Sequence, residues 1–384
     1  MLKTLSIDNF RGFKHFELKP LGQINLLVGA NNSGKTSILE AIYLLMGHDP
    51  VKSLEAVCQA RGEVREIDGR EPQYQLFVHH LFRGHQIRQD SPIQIQAQQV
   101  STDEQPSPSS GELEQPRQPL SSRTLCLSVE NDGSTLSFQI SRNINHDRLG
   151  YERFSLREAG SIFSDVFRPL PHTFSGEFGP AGPKPVKQPS EGIPIQWIQT
   201  LGLSRNTTIQ LFEEILLTPE EEIVLSALSA LEPNLQRIAQ VTPDPTVKST
   251  LNRDGFMVKL KDIPQPVPIS SMGEGVWRIL GLALAIVNAK DGILLVDEVD
   301  IGLHFTAMTE MWQMLCKTAQ DFNVQVFATT HSRDCWQSLA ELVEAEAIDS
   351  GLITLHRIER TQEQSITLKG RQIAIAADRG LEVR

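Results

Sequence analysis

Gly29-Ala30-Asn31-Asn32-Ser33-Gly34-Lys35-Thr36, followed by Ser37, satisfies G-x-x-x-x-G-K-[ST] at every constrained position. The apolar run Ile24 to Val28 enters this stretch as a strand. Ile38, Ala41, Ile42 and Leu45 leave it at i, i+3, i+4 and i+7, the buried stripe of a helix that Gly47 can stop. Strand, glycine-rich turn and helix in that order form a phosphate cradle. The backbone N–H groups of Gly29, Asn31, Asn32, Ser33 and Gly34 would wrap phosphate oxygens, and the helix N-terminus around Ser37 adds positive dipole. In such a loop Lys35 reaches the β- and γ-phosphates and the Thr36 hydroxyl ligates Mg²⁺.

Three further stretches extend this chemistry. Ile293-Leu294-Leu295-Val296-Asp297-Glu298 is an apolar strand ending in two acids. Asp297 stands where a Walker B carboxylate holds the Mg²⁺ shared with Thr36, and Glu298 can polarise an attacking water as general base. Ser271-Met272-Gly273-Glu274-Gly275 precedes a helix, a hydroxyl and glycine amides suited either to a terminal phosphate or to an ordinary cap. Thr329-Thr330-His331-Ser332 closes a strand from Val324 to Ala328, so His331 can hydrogen-bond a γ-phosphate or the water.

Composition bounds the rest. The chain has 384 residues, 40% of them hydrophobic and 22% charged, which is ordinary for a globular protein and excludes wholesale disorder. The net charge of −11 removes the global basic excess that drives non-specific phosphate binding, so any nucleic acid must meet a local patch or a partner. Cys58, Cys126, Cys316 and Cys335 show no C-x-x-C spacing, which argues against a zinc ribbon and suits a reducing compartment. Ile279 to Ala289, between Arg278 and Lys290, is shorter than the roughly 20 residues of a bilayer span. The start, MLKTLSIDNF, lacks a secretory apolar run. The expectation is a cytoplasmic protein with no membrane partner.

Alternation at Leu5 and Ile7 and the runs Tyr74 to Val78, Leu125 to Val129 and Leu136 to Ile140 predict strands, the last two joined across Asp132-Gly133 as an antiparallel hairpin. Gln89 to Ser122 is rich in Gln, Ser and Pro and reads as a flexible polar insertion. A second Pro/Gly-rich stretch, Pro180 to Pro194, precedes helical sequence. Thr218-Pro219-Glu220-Glu221 reads as a capping box ahead of an apolar stripe at Val224, Ala227, Leu228 and Leu231. Helix from Gly275 to Asn288, strand Ile293 to Val296, helix Phe305 to Ala319 and strand Val324 to Ala328 alternate as a helix-covered parallel sheet requires. Leu352 to Ile358 and Ile366 to Leu368 read as closing strands. Trp277, Trp312 and Trp336 read as core, and His79, His80 and His85 lack the spacing of a metal site.

The order of phosphate loop, S-x-G-E-G, Asp-Glu strand and histidine strand resembles the ABC-type ATPases. In these, two heads dimerise head to tail and each nucleotide is sandwiched between one phosphate loop and the other head's signature. The resemblance implies a homodimer closed over ATP and Mg²⁺, with Ser271, Gly273 and Glu274 acting in trans and Asp300 communicating between the two sites. It implies an α/β ABC head, a P-loop NTPase fold with a mostly parallel core sheet, an antiparallel β lobe and a helical lobe between Walker A and signature. On this plan 1–88 form the first ATPase lobe, 89–122 the insertion and 123–175 the antiparallel continuation of the first lobe. The helical variable lobe is 176–265, and 266–384 carry signature, Walker B, D-loop, histidine motif and closing strands.

The long interval from Lys35 to Ser271 and the absence of LSGGQ disfavour a transporter subunit, and the absence of a long coiled coil separates the chain from SMC proteins proper. LSIDNFRGFKHFEL, leading into INLLVGANNSGKTSILEAI, looks like the RecF, SMC and OLD-like group, which gives Arg11 a nucleotide-contacting role; as a bare residue its alternative is a surface charge. SMGEG, LLVDEVDIGLH and QVFATTHSRD are closest in style to OLD-like AAA-family ATPases without a fused nuclease. The stretch after His331 is too short for a Toprim domain, so the resemblance implies a separate Toprim-like nuclease or other effector subunit acting on DNA or RNA. A RecF-like DNA clamp is the alternative. The Mg²⁺-sensing glutamine of ABC heads stays open among Gln73, Gln75, Gln94 and Gln96.

Overall fold

The computed structural model describes residues 1–67, 73–100, 120–131, 136–145, 147–156, 161–163, 193–241 and 255–380. Along the chain run β1 (Leu2–Asp8), β2 (His15–Leu18), β3 (Ile24–Val28), α1 (Lys35–Met46), α2 (Pro50–Ala60), β4 (Val64–Ile67) and β5 (Gln73–Leu76). Then come β6 (Ile93–Val100), β7 (Leu120–Asn131), β8 (Leu136–Ile144), β9 (Asp147–Ser155), β10 (Ile162–Phe163) and β11 (Ile195–Ile198). They are followed by α3 (Arg205–Ile215), α4 (Pro219–Leu231), β12 (Leu235–Gln240), β13 (Phe256–Leu260), β14 (Val267–Pro268), α5 (Glu274–Val287) and β15 (Ile293–Val296). The chain closes with α6 (Met308–Asp321), β16 (Gln325–Thr330), α7 (Arg333–Glu344), β17 (Ile353–Arg357), β18 (Ile366–Lys369) and α8 (Arg371–Asp378). It divides into two compact units, one of residues 1, 19–39 and 194–384, the other of 2–18 and 40–193.

The first unit is built on a six-stranded sheet in the order β11-β15-β16-β3-β17-β18, parallel throughout except for the last pair. Every residue of β3, β15 and β16 is buried, as strands covered on both faces should be, including the polar Asn25, Gln325, Thr329 and Thr330. α5 is buried on all sides from Val276 to Val287, so it is an interior helix rather than an amphipathic one. Leu211, Phe212, Val224 and Leu228 bring α3 and α4 into the same core, which also takes Trp277, Trp312 and Trp336. Register then dictates where function lies. Val296 pairs with Ala328, Thr330 with Val28 and Ile198 with Val296, so the loops after β11, β15, β16 and β3 all leave one carboxyl edge of the sheet.

The second unit contains the antiparallel sheet β2-β1-β6-β7-β8-β9 and a small sheet β10-β5-β4. Here the expected insertion at 89–122 is corrected: Ile93–Val100 is a ladder strand between β1 and β7, and β7 itself starts at Leu120. Its glutamines mask a period of two in which Ile93, Ile95 and Ala97 turn inward. Residues 101–119 of that expectation, the Asp132-Gly133 turn and most of Pro180 to Pro194 lie outside the described residues. β7 and β8, flanking that turn, are antiparallel neighbours as the sequence predicts. The capping box expected at Thr218 does not form, and Thr218 N goes to Ile215 O at 3.0 Å. Glu221 Oε2 accepts from Leu217 N at 2.9 Å, while the Thr218 hydroxyl donates back to Ile215 O at 2.7 Å instead of capping α4.

Among the described residues no helix is long and apolar enough to cross a membrane. A buried polar ladder crosses the core sheet: Asn25 Nδ2 donates to Val326 O, Thr354 Oγ1 to Asn25 Oδ1 at 2.8 Å, and His356 lies between the hydroxyls of Thr354 and Thr367 at 3.2 and 3.0 Å. Burial lowers the His356 pKa from 6.5 to about 3. Between those values the unfolded chain binds a proton that the folded chain refuses, so this contribution is complete above pH 6.5 and is lost as pH falls toward 3. In urea titrations at stepped pH, the stability advantage of wild type over His356→Gln should shrink by about 1.4 kcal/mol for each unit below neutrality; parallel curves would contradict it.

Candidate functional site

β3 delivers the chain to Gly29 at φ +150°, and Asn32 (φ +62°) and Gly34 (φ +104°) complete the turn. A Cβ at Gly29 would stand 2.5 Å from Ile358 O, so only glycine fits under β17's exit. Lys35 Nζ folds back on its own loop, donating to Gly29 O at 2.7 Å and Ala30 O at 2.9 Å. Burial lowers the Lys35 pKa, and the carboxylates of Asp297 and Glu298 pull it partly back up. The buried Ser33 hydroxyl has no hydrogen-bond partner among the described residues, and α1 has no acidic side chain in its first turn. Positive dipole, an ammonium and an unsatisfied buried hydroxyl therefore converge on one loop, the donor set that phosphate oxygens satisfy.

Asp297, 6% exposed, gathers three hydroxyls. Thr36 Oγ1 lies 3.0 and 3.1 Å from its two oxygens, Thr329 Oγ1 donates to Oδ1 at 2.7 Å, and Thr200 Oγ1 to Oδ2 at 2.9 Å. Carboxylate and hydroxyl oxygens are hard ligands, and 3.0 Å is the separation of neighbouring ligands in an octahedron with metal–oxygen bonds of about 2.1 Å. The residues thus fit a Mg²⁺ ion held between Thr36 and Asp297.

Glu298 has φ +48°, a left-handed conformation costing about 1–2 kcal/mol for a residue with a side chain. Its N–H donates to Thr329 Oγ1 at 2.8 Å, and its Oε1 lies 3.5 Å from His331 Nδ1, both side chains reachable by solvent. Ser332, next in line, caps α7 by accepting from Cys335 N, which ends the histidine loop there. Thr330 Oγ1 donates to Asp300 Oδ1 at 2.6 Å, so Asp300 is tied to the residue before His331. Lys35, Thr36, Asp297, Glu298, Asp300 and His331 thereby form one connected cluster.

Ser271, Gly273 and Glu274 stand apart from it. They form the exposed head of α5, where the Ser271 hydroxyl donates to Pro268 O at 2.8 Å and a Cβ at Gly273 would meet nothing within 4 Å. Asn31 and Asn32 are exposed on the loop and Ser37 is buried in the first turn of α1. Arg11 belongs to the other unit, where it pairs with Glu63 and, at 3.0 Å, with Glu40, itself wholly buried and bonded to Arg61. Gln73, Gln75, Gln94 and Gln96 lie on β5 and β6 of that unit. It is Gln199 and Thr200, just past β11, that reach the carboxyl edge beside Asp297, and sequence reading missed them. The run Ile195 to Ile198 after a Pro/Gly-rich stretch was the available signal.

A phosphate loop, a Walker B carboxylate, an adjoining glutamate and a histidine at one edge of a parallel sheet define an ATPase head of the ABC class. The chain belongs to the AAA ATPase domain family, whose model matches residues 1–167 and 208–335. It is an ATPase. Over 365 residues, 89% of this chain and 88% of the other, it is 24% identical to an ATP/GTP phosphatase of Helicobacter pylori. A stretch of 41 residues, 11% of each chain, is 66% identical to the DNA replication and repair protein RecF of Nitrosococcus oceani. In fold it is similar to an SMC head solved in complex with the C-terminal winged-helix domain of ScpA, with a TM-score of 0.53, 12% identity and coverage of 96% of this chain and 97% of that one.

Thr329→Val keeps the shape of the side chain but strips Asp297 of its 2.7 Å donor and Glu298 N of its acceptor. Steady-state ATPase assays should show kcat reduced by about ten- to a hundredfold, with stability lowered by roughly 1–3 kcal/mol; an unaltered kcat would remove Thr329 from the site.

Proposed function

We propose that two copies of this chain close head to tail over ATP and Mg²⁺ and reopen after hydrolysis, and that this cycle regulates a nucleic-acid-directed process in the cytoplasm through a separate effector subunit. The observation that carries the dimer reading is the division of the motifs: the phosphate-loop cluster is continuous within one chain, while Ser271 and Gly273 present an exposed helix head with open space before it. Lys35 and the Gly29 to Gly34 amides would hold the phosphates. Thr36 and Asp297 would hold Mg²⁺, which supplies charge neutralisation at the phosphates when bound. Glu298 takes the proton of the attacking water, and His331, 3.5 Å from it, donates to the γ-phosphate.

The likeness to OLD-like ATPases supports anti-phage defence with a Toprim-like nuclease as the effector system. The RecF-like stretch favours a second reading, a DNA clamp in recombination or repair. Retention of the purified ATPase on DNA only when ATP is present would favour the clamp, and activation of a nuclease encoded beside it would favour the regulator.

Glu298→Gln should bind ATP as wild type does, turn it over about a thousandfold more slowly and accumulate as a dimer in light scattering with Mg-ATP. Rapid hydrolysis by this variant would remove Glu298 as the base. Ser271→Arg should leave nucleotide binding to the monomer intact and abolish that dimer; unchanged ATPase activity would count against a site completed in trans.

A further inference from the structure

We propose that Arg278 is a positioning residue through which the head of α5 sets the Asp297–Glu298 turn, so that docking on Ser271 and Gly273 regulates hydrolysis in the same chain. The inference rests on the dimer reading above, because it takes the docking group to be the triphosphate held by a second copy.

Arg278 is 6% exposed and is the one charged residue in the buried stretch of α5 from Val276 to Val287. Its Nη2 donates to Asp297 O at 3.0 Å and to Glu298 O at 2.7 Å, and Nη1 makes a long 3.5 Å approach to Gln199 O. Burial lowers its pKa, opposed by the carboxylates of Asp300, Asp297, Glu298 and Glu274. Consecutive carbonyls of an extended chain point to opposite sides. Here both turn toward one nitrogen because Glu298 has left the strand for φ +48°. The arginine and the strained residue are two halves of one device: Glu298 O also accepts from Ile301 N at 3.1 Å, which closes the turn locally, while the guanidinium ties both carbonyls, and with them Glu298, to α5.

The head of α5 touches the same region by a second route. A Cβ at Gly302 (φ +78°) would lie 2.6 Å from Glu274 Cγ, and one at Gly275 would lie 3.4 Å from Gly302 O. The loop running from Asp300, which is tied to Thr330, is therefore packed on the first turn of α5. Arg278 sits one turn beyond Glu274, about 6 Å along a rigid helix. A ligand that seats Ser271 and Gly273 differently in two states biases the turn through that helix, which is what coupling requires.

The test uses Arg278→Met and Arg278→Lys in the full-length protein, with thermal melts, nucleotide titration, steady-state kinetics and light scattering. Arg278→Met should bind nucleotide within about threefold of wild type and still dimerise with Mg-ATP, while kcat falls about a hundredfold at unchanged KM. Arg278→Lys, which keeps the charge and reaches the carbonyls, should recover most of that loss. A folded Arg278→Met with wild-type kcat would overturn the proposal. So would a lysine variant as impaired as methionine, or a loss shared between kcat and KM, since a merely structural arginine behaves that way. If methionine prevents folding, Arg278→Gln is read in its place: wild-type melting with kcat lowered at fixed KM supports positioning, and unchanged kcat refutes it. Failure of the dimer reading is separately visible, as a wild-type rate per chain that does not rise with protein concentration.

Discussion

Three hydroxyls on one carboxylate hold the working edge of this molecule together. Asp297 is nearly closed off from water, and a buried carboxylate is tolerated only when its lone pairs are met. Thr36 comes from the head of α1, Thr200 from the end of β11 and Thr329 from the end of β16, so one side chain ties together three segments far apart in sequence. Parallel pairing makes this possible. Since β11, β15, β16 and β3 run the same way in register, their exits lie side by side, and short residues suffice to bridge them.

Glu298 depends on that anchoring. Left-handed backbone at a residue with a Cβ persists only where its surroundings over-determine it. At Glu298 they do: its N–H is taken by Thr329, its carbonyl by Arg278, and Val299 N by Thr329 O at 3.0 Å. The turn is thus pinned on both sides, and the side chain is left to face His331. Strain of this kind is intelligible as positioning, because an ordinary extended residue following Asp297 would continue the strand past the site.

The sequence made the centre of this arrangement legible and concealed its supports. β15 was readable to its end residues because a strand covered on both faces is an uninterrupted apolar run, β3 because only a single buried Asn25 interrupts its own, and the phosphate loop because each constrained position has a steric or electrostatic reason. Thr200 and Thr329 left no such trace: a hydroxyl that meets a carboxylate across the sheet has no period and no spacing. Arg278 reads as a polar interruption in an apolar helix, and only the fold shows that the interruption points inward. β6 was hidden for the opposite reason, because bulk composition outvoted the alternation of Ile93, Ile95 and Ala97. The glutamine question failed through topology, since the strand beside β15 is β11, which follows the entire second unit in the chain.

Charge explains why the cluster calls for a cation. Asp297, Glu298, Asp300 and Glu274 all act on Arg278, and Lys35 feels the first two. Against these four carboxylates stand one ammonium, drawn back onto the loop carbonyls, and one guanidinium committed to backbone oxygens. A triphosphate brings several further negative charges, and at low local dielectric their repulsion from Asp297 and Glu298 outweighs what Lys35 alone returns. A divalent ion between Thr36 and Asp297, the pair whose oxygens stand at octahedral spacing, would offset that repulsion.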